Sequence, residues 1–444
     1  MFPWHPLRMQ PHPAAGRPAG PRRRFGRDSR GSVATIFAIT LLPIMLLVGL
    51  AVDYAQAQRV RSRLNALADF AALAAARRDM INASAADAKA AALRLFRAQL
   101  AQDPGVVVSD LQAEVVDDGG TRRVVLTYRA SVRTVLMTLG GIQSLTISGT
   151  ASSATQRPVY VDFYLLLDNT PSMGLGATVR DIDRLAQLTA NETWEGRCGF
   201  ACHIEGSSND RLSLARANGV QTRIDVVRQA TQRLFDTAAA ATILRDQFRA
   251  AIYTHGVSCR QVALREVSAL TANLTAAKTA AEAIQLMSTP YRAGYPTDVR
   301  CTDNRAILNA VSNVIPASGD GLTSATPQKI LFMVADGLTD THRPQVCAQP
   351  LVENGRCLEP LDTAVCDSLK RRGVKIAVLY TTYLPLPGRI DYDYYIAPYQ
   401  PTIGARMQQC ASPGLYFEVS PSQGIAEAMI ALFQKVVATV RLTS

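Results

Sequence analysis

Asp168, Thr170 and Ser172 stand at alternate positions in the run Asp168-Asn169-Thr170-Pro171-Ser172. One carboxylate and two hydroxyls so spaced can point toward one small cation. Hard divalent cations such as Mg²⁺ take oxygen ligands in octahedral array and keep several waters. A cation held mainly by hydroxyls and water retains much of its charge, and so can attract a carboxylate from another molecule. That is binding chemistry, not bond-breaking chemistry.

The elements that must position this run are legible around it. Val161–Leu167 (VDFYLLL) reads as a buried parallel strand that ends on Asp168. From about 158 to the end the pattern alternates: strand, amphipathic helix RIDVVRQATQRLFDTA, strand QFRAAIYTHG, helix NRAILNAVSNVI, strand KILFMVADG, helix TAVCDSLKRRG, strand VKIAVLYTTY, strand LYFEVS and a final helix QGIAEAMIALFQKVVATV. Such alternation predicts an α/β domain built on a doubly wound, mainly parallel sheet with helices on both faces. Ligands of such sheets bind at the carboxyl ends of strands, where Asp168 and Asp336 both fall. Two insertions, near 175–220 and 255–300, interrupt the pattern, and long insertions of this kind are commonly functional.

Enzymatic readings find little purchase. The chain has no Gly-x-Ser-x-Gly elbow, no Walker loop and no His-Glu-x-x-His. Cys198-Gly-Phe-Ala-Cys202-His203 has three residues between its cysteines where haem attachment needs two. The tyrosine-rich stretch IDYDYYIAPYQ, with Asp391, Asp393, Tyr392, Tyr394, Tyr395 and Tyr399, reads as a packing or contact loop rather than a catalytic one. Asp340, His255 and His342 read as loop or surface residues. No catalytic residue and no small-molecule substrate is expected.

The 444 residues have room for two or three domains, and an apolar fraction of 48% is ample for a core. Of the formal charge of +11, the segment 1–31 supplies +6, from seven arginines against one aspartate. With aromatics at 6% and no basic-aromatic pattern, nucleic acid is not an expected partner. Residues 1–31, rich in Pro, Gly and Arg, read as a disordered basic cytoplasmic tail, with Met9 an alternative start.

Residues 32–52 carry no charge, and 21 residues can cross a bilayer. Arginines at 22, 23, 24, 27 and 30 precede the stretch, which by the positive-inside tendency keeps the N-terminus cytoplasmic and exports the rest. Arg59, Arg61 and Arg63 on the far side moderate that bias. Arg22-Arg23-Arg24-Phe25 has a twin-arginine look, and Ala55-Gln56-Ala57 a small-residue cleavage look. The apolar run exceeds the length of a usual signal core, so a retained anchor is the preferred reading.

All eight cysteines (Cys198, Cys202, Cys259, Cys301, Cys347, Cys357, Cys366 and Cys410) lie beyond that run. An even count confined to the exported part predicts disulfides in an oxidising compartment, their connectivity open. Cys198/Cys202 and Cys347/Cys357 are plausible local pairs. Between anchor and α/β domain, 53–157 reads as a continuing helix, a second alanine-rich helix near 82–102 with Leu93, Phe96 and Leu100 as its stripe, and three antiparallel strands.

Two resemblances follow from these residues. YLLLDNTPSM, CTDNRAILNAV and ILFMVADGLTD, in that order, resemble a von Willebrand factor type A domain with a metal-ion-dependent adhesion site over 158–444. The resemblance implies Mg²⁺, or Mn²⁺ or Ca²⁺, at Asp168, Thr170, Ser172, Thr302 and Asp336, with Thr297 the alternative to Thr302. Pro171 stands where many members have Gly, and Thr170 replaces the commoner Ser. RGSVATIFAITLLPIMLLVGLAVDYAQAQRVRSRLNALADFAALAAA resembles the opening of TadG-like Flp pilus-assembly proteins. No Glu follows Gly31 where related pseudopilins carry one for processing, so an unprocessed anchor is expected. Together the resemblances imply a single-pass protein of the bacterial inner membrane. Its C-terminal domain would be periplasmic, and the protein's partners would be inner-membrane lipid and proteins of a pilus-assembly or secretion system. The alternatives are a von Willebrand type A subunit of a chelatase-like ATPase system, and a metal-independent structural envelope protein.

Overall fold

The computed structural model describes residues 32–77, 80, 83–100, 106–118, 120–190, 203–204, 206–208, 210–292, 295–296, 299–342, 344–352, 355–383, 390–420 and 424–442. Their contacts divide into two compact units, one drawn from 1–75, 86–114 and 124–153 and the other from 76–85, 115–123 and 154–444.

In the first unit, α1 (Ser32–Ala76) runs as one 45-residue helix with Pro43 inside it. Its opening half exposes Val33, Ile36, Phe37, Ile39, Leu42 and Leu47 and is long and apolar enough to cross a membrane, which makes it a candidate anchor. Past Val52 the helix becomes one-sided: Ala57, Leu64, Ala68, Ala71 and Ala75 are buried at helical spacing. α2 (Ala85–Leu100) buries Ala88, Ala92 and Phe96, so alanines replace the expected Leu93 and Leu100 on its inward face. β1 (Val106–Asp118), β2 (Thr121–Arg133) and β3 (Ser144–Gln156) form a sheet in the order β1-β2-β3. Central β2 alternates strictly, burying Val124, Leu126, Tyr128, Ala130 and Val132. The Tyr128 hydroxyl donates to Asn65 Oδ1 at 2.7 Å, which ties α1 to the sheet. Gly149 on β3 leaves room for this pair, since a Cβ there would lie 2.2 Å from Asn65 Oδ1.

The second unit centres on a six-stranded sheet. Its chain order is β4 (Val161–Leu167), α3 (Val179–Leu188), α4 (Arg211–Ala217), α5 (Arg223–Ala241), β5 (Phe248–Ser258), β6 (Gln261–Thr271) and α6 (Leu274–Ala280). Two-residue strands β7 (Tyr291–Arg292), β8 (Tyr295–Pro296) and β9 (Cys301–Thr302) follow, then α7 (Asn304–Val314), β10 (Gln328–Ala335), β11 (Leu338–His342), β12 (Arg356–Pro360) and α8 (Ala364–Arg371). β13 (Lys375–Thr381), α9 (Ile390–Tyr395), α10 (Gln400–Cys410), β14 (Tyr416–Val419) and α11 (Ile425–Leu442) complete it. The sheet order is β14-β13-β10-β4-β5-β6. All neighbours pair parallel except β5 with β6, so the sheet is mixed, with an antiparallel edge strand.

Every residue of β4 and β10 is buried, because helices cover both faces. Val161, Phe163, Leu165 and Leu167 face a core shared with α5 and α11, while Tyr164 and Leu166 face one shared with α7, α8 and α10. At the amino edge, buried Asp162 is flanked in register by Lys329 and Arg249. It receives Lys329 Nζ at 2.5 Å and Arg249 Nε and Nη2 at 2.7 and 2.8 Å.

Several local expectations change. The region after Cys259 is not loop: it pairs as β6 and then forms α6, because the turn at Cys259-Arg260 folds the chain back on β5. The tyrosine-rich stretch is helical, as α9 and the start of α10. His255 is buried within β5, and Asp340 lies in β11 ion-paired to Arg356 at 2.6 Å. His342 ends β11 exposed. Disulfides join Cys259–Cys301, Cys347–Cys357 and Cys366–Cys410. Cys198 and Cys202, and Thr297, lie outside the described residues.

Candidate functional site

β4 and β10 run parallel side by side and end together, so Asp168 and Asp336 emerge at neighbouring carboxyl ends. The Asp168 N–H still donates to Val334 O at 2.9 Å, which fixes the exit of the chain. Both aspartates are fully buried, as is Thr170. The Thr170 N–H and hydroxyl donate to Asp168 Oδ1 at 2.9 and 2.7 Å, and its hydroxyl lies 3.1 Å from Ser172 Oγ. Pro171 opens a 3-10 turn through Gly174, a position that suits its fixed φ and its missing N–H. That turn brings Ser172 back over the strand ends, where its hydroxyl acts to lower the Asp336 carboxyl.

Asp336 receives the Leu338 N–H at 3.3 Å and the Tyr383 hydroxyl at 2.6 Å. Gly337 beside it has φ +76°, and a Cβ there would lie 2.8 Å from Met407. Only glycine fits that turn.

Asn169, the residue between the first two expected ligands, is the mechanical anchor of the loop. Its side-chain nitrogen donates to Gly256 O and Gln285 O at 2.8 and 2.9 Å, and its oxygen accepts the His255 N–H at 3.0 Å. Attention to alternate positions alone hides this role. An Asn at a strand end, with a donor and an acceptor to share between two neighbouring backbones, was the available signal.

Arg223 opens α5 and is fully buried. It donates to Thr382 O at 2.5 Å and lies 5.2 Å from the centre of the Tyr383 ring. Its charge acts on both Asp168 and Asp336. Nothing in the sequence marks this arginine, which reads as the polar face of an amphipathic helix.

Burial is the first cause of the electrostatics here. It raises Asp168 above the ordinary carboxylate range, and Thr170's two hydrogen bonds only partly offset it. Asp336 is pushed up to about 6, first by burial and then by the Asp168 charge. Burial lowers His255 to about 4, leaving a neutral imidazole near neutral pH.

Among the described residues, Asp168 Oδ2, Arg223 Nε and Nη1, His255 Nδ1, Thr254 Oγ1 and Thr381 Oγ1 are buried with no hydrogen-bond partner. Native interiors rarely leave such atoms unmet, and water or an ion is the usual remedy. The geometry thus joins four of the five expected ligands: Asp168, Thr170, Ser172 and Asp336. Thr302 is buried on the small sheet β12-β11-β9, paired to Asp340, and shares no hydrogen bond with the other four among the described residues. The Cys259–Cys301 disulfide fastens its strand to the turn after β5.

A divalent ion fits this donor set. All four groups offer oxygen, one carboxylate oxygen is free of any donor, and two buried carboxylates against one guanidinium leave the site net negative.

Two solved structures resemble the chain at low identity. The vWF domain of the type V pili tip protein Mfa5 from Porphyromonas gingivalis shares 10% identity, covering 64% of this chain and 96% of that one, with a TM-score of 0.36. The PilB minor pilin from Streptococcus sanguinis shares 9% identity over 76% and 78% of the two chains, with a TM-score of 0.35. No curated protein matches. Residues 31–78 match the family model described as putative Flp pilus-assembly TadE/G-like, so the helical opening of this chain is similar to that family's segment.

Proposed function

We propose that this chain is a TadG-like, membrane-anchored binding protein that uses a metal-ion-dependent adhesion site to hold a partner in Flp pilus assembly. It is not an enzyme in this reading. α1 anchors it in the inner membrane with the N-terminus cytoplasmic, and the second unit lies in the periplasm as a von Willebrand type A domain. The match over 31–78 supports the pilus assignment.

The observation that carries the metal reading is the buried, donor-free Oδ2 of Asp168 beside Thr170, Ser172 and Asp336. Asp168, Thr170, Ser172 and Asp336 would hold Mg²⁺, with Thr302 or Thr297 as the expected fifth ligand. The ion would supply a Lewis-acidic position for a carboxylate of the partner protein. Around it, Tyr383 holds Asp336, Asn169 holds the first loop, and Arg223 tempers the repulsion between the aspartates.

Affinity capture with the full chain from solubilised membranes tests this reading, in Mg²⁺, in EDTA, and with Asp168→Ala. Pilus subunits retained only by the unaltered chain in Mg²⁺ support it. Equal capture in all three arms refutes the metal-dependent contact and favours a metal-independent structural role.

A further inference from the structure

The loop between β2 and β3 has the composition of a membrane segment. From Thr134 to Gln143 it reads TVLMTLGGIQ, with no charge, and exposed Arg133 closes its near end. Val135 is 66% exposed, Leu139 81% and Ile142 44%. Three large aliphatic side chains left in solvent on one short loop call for a partner surface.

The loop is fastened to α1 at the end of the uncharged stretch. Asp53, the first charged residue after it, accepts the N–H groups of Val135, Leu136 and Met137 at 3.2, 2.8 and 2.6 Å. Leu136 packs on Gly49, where an added Cβ would lie 2.8 Å from the Leu136 Cβ. Gly49 is three residues inside the end of the stretch at Val52, about 4.5 Å along the helix axis. Whatever depth Gly49 occupies, Leu136 shares it.

The backbone of the loop is already prepared for an environment without water. The Thr134, Leu139, Gly141 and Ile142 N–H groups donate to Gln143 O, Leu136 O, Thr138 O and Met137 O. The Thr134 and Thr138 hydroxyls bond back to Ile142 O and Val135 O. With Asp53 taking three more N–H groups, most of the loop's N–H groups are bonded within the protein, which lowers the cost of entering hydrocarbon.

We infer that residues 134–142 are a second membrane contact, a loop that Asp53 holds against α1 so that Val135, Leu139 and Ile142 enter the bilayer beside it. The inference rests on the reading that residues 32–52 remain in the membrane as an anchor. A lipid bilayer is the occupant that continuity favours, because the exposed side chains adjoin the apolar stretch itself. The consequence is positional: two attachments, helix and loop, restrain how the three-stranded sheet β1-β2-β3 stands on the membrane, where a single helix would let it swivel.

The test uses the full chain with Trp4→Phe and Trp194→Phe, reconstituted in phosphatidylcholine vesicles with and without dibrominated acyl chains. Single tryptophans are introduced as Leu139→Trp, as Leu42→Trp within the apolar stretch, and as Phe70→Trp. Phe70 is exposed on α1 and about 25 Å beyond Asp53 along the axis. Leu139→Trp and Leu42→Trp should both lose emission to the brominated lipid, and Phe70→Trp should not. If Leu42→Trp is quenched and Leu139→Trp is not, the loop inference falls while the anchor stands. That result would also point to a protein partner for the loop. If neither is quenched, both the anchor and the loop contact are overturned.

Discussion

Lowering the pH should weaken divalent-ion binding through Asp336. Its carboxyl is pushed up to about 6, first by burial and then by the neighbouring Asp168 charge. A divalent ion needs both carboxylates ionised. At pH 7.5 Asp336 is almost wholly ionised, whereas at pH 5 only about one molecule in eleven is. Through Asp336 alone, apparent affinity for Mg²⁺ should therefore fall about tenfold between these pH values, or about 1.4 kcal/mol, and protonation of the raised Asp168 can only add to the loss. Without metal the sign is opposite. An unfolded aspartate titrates near 3.9, so the raised group contributes stability that is fully present below that value and lost as pH rises through about 6. As far as Asp336 contributes, the metal-free protein should thus be less stable at pH 7.5 than at pH 5, and added Mg²⁺ should reverse the loss. Calorimetric titration of the detergent-solubilised chain at pH 5 and 7.5, with thermal unfolding in Mg²⁺ and in EDTA, reads both effects. Asp168→Asn is the control. It removes the charge that helps raise Asp336, and it should abolish metal binding. Equal affinity at the two pH values, or binding that survives Asp168→Asn, refutes the reasoning.

Other substitutions probe the frame that holds the site. Asn169→Ala strands the buried His255 N–H and two carbonyls, and should destabilise the protein by roughly 2–4 kcal/mol in urea unfolding. Lys329→Met leaves buried Asp162 with Arg249 alone and should cost about 2–3 kcal/mol in the same assay, while leaving metal affinity unchanged because it acts at the opposite edge of the sheet. Replacing both Cys366 and Cys410 by Ser opens a cross-link spanning 44 residues, for which the chain-entropy model gives a loss of about 4 kcal/mol. A melting temperature unaffected by reductant in the unaltered chain would contradict that last expectation.

Much of this architecture is legible along the chain because it depends on near neighbours. An uncharged run of 21 residues declares, by length alone, a helix long enough to cross a bilayer. Val161–Leu167 declares a strand buried on both faces because helices must cover it twice, and Asp168 and Asp336 declare themselves as strand ends. The local pair Cys347–Cys357 is within reach of a short turn.

Tertiary structure alone decides the rest, since the partners are distant in sequence. β6 pairs with β5 because a tight turn follows Ser258, a choice no periodicity in the insertion announces. Arg223 becomes a buried counter-charge to Asp168 and Asp336 only because α5 begins over the ends of β4 and β10, and Tyr383 reaches Asp336 across 47 residues. Asp53 looks like a plain boundary after an apolar run, yet it grips a loop more than 80 residues away. Residue type and spacing state what a side chain can bond to, and only the packed chain determines which of those groups comes within reach.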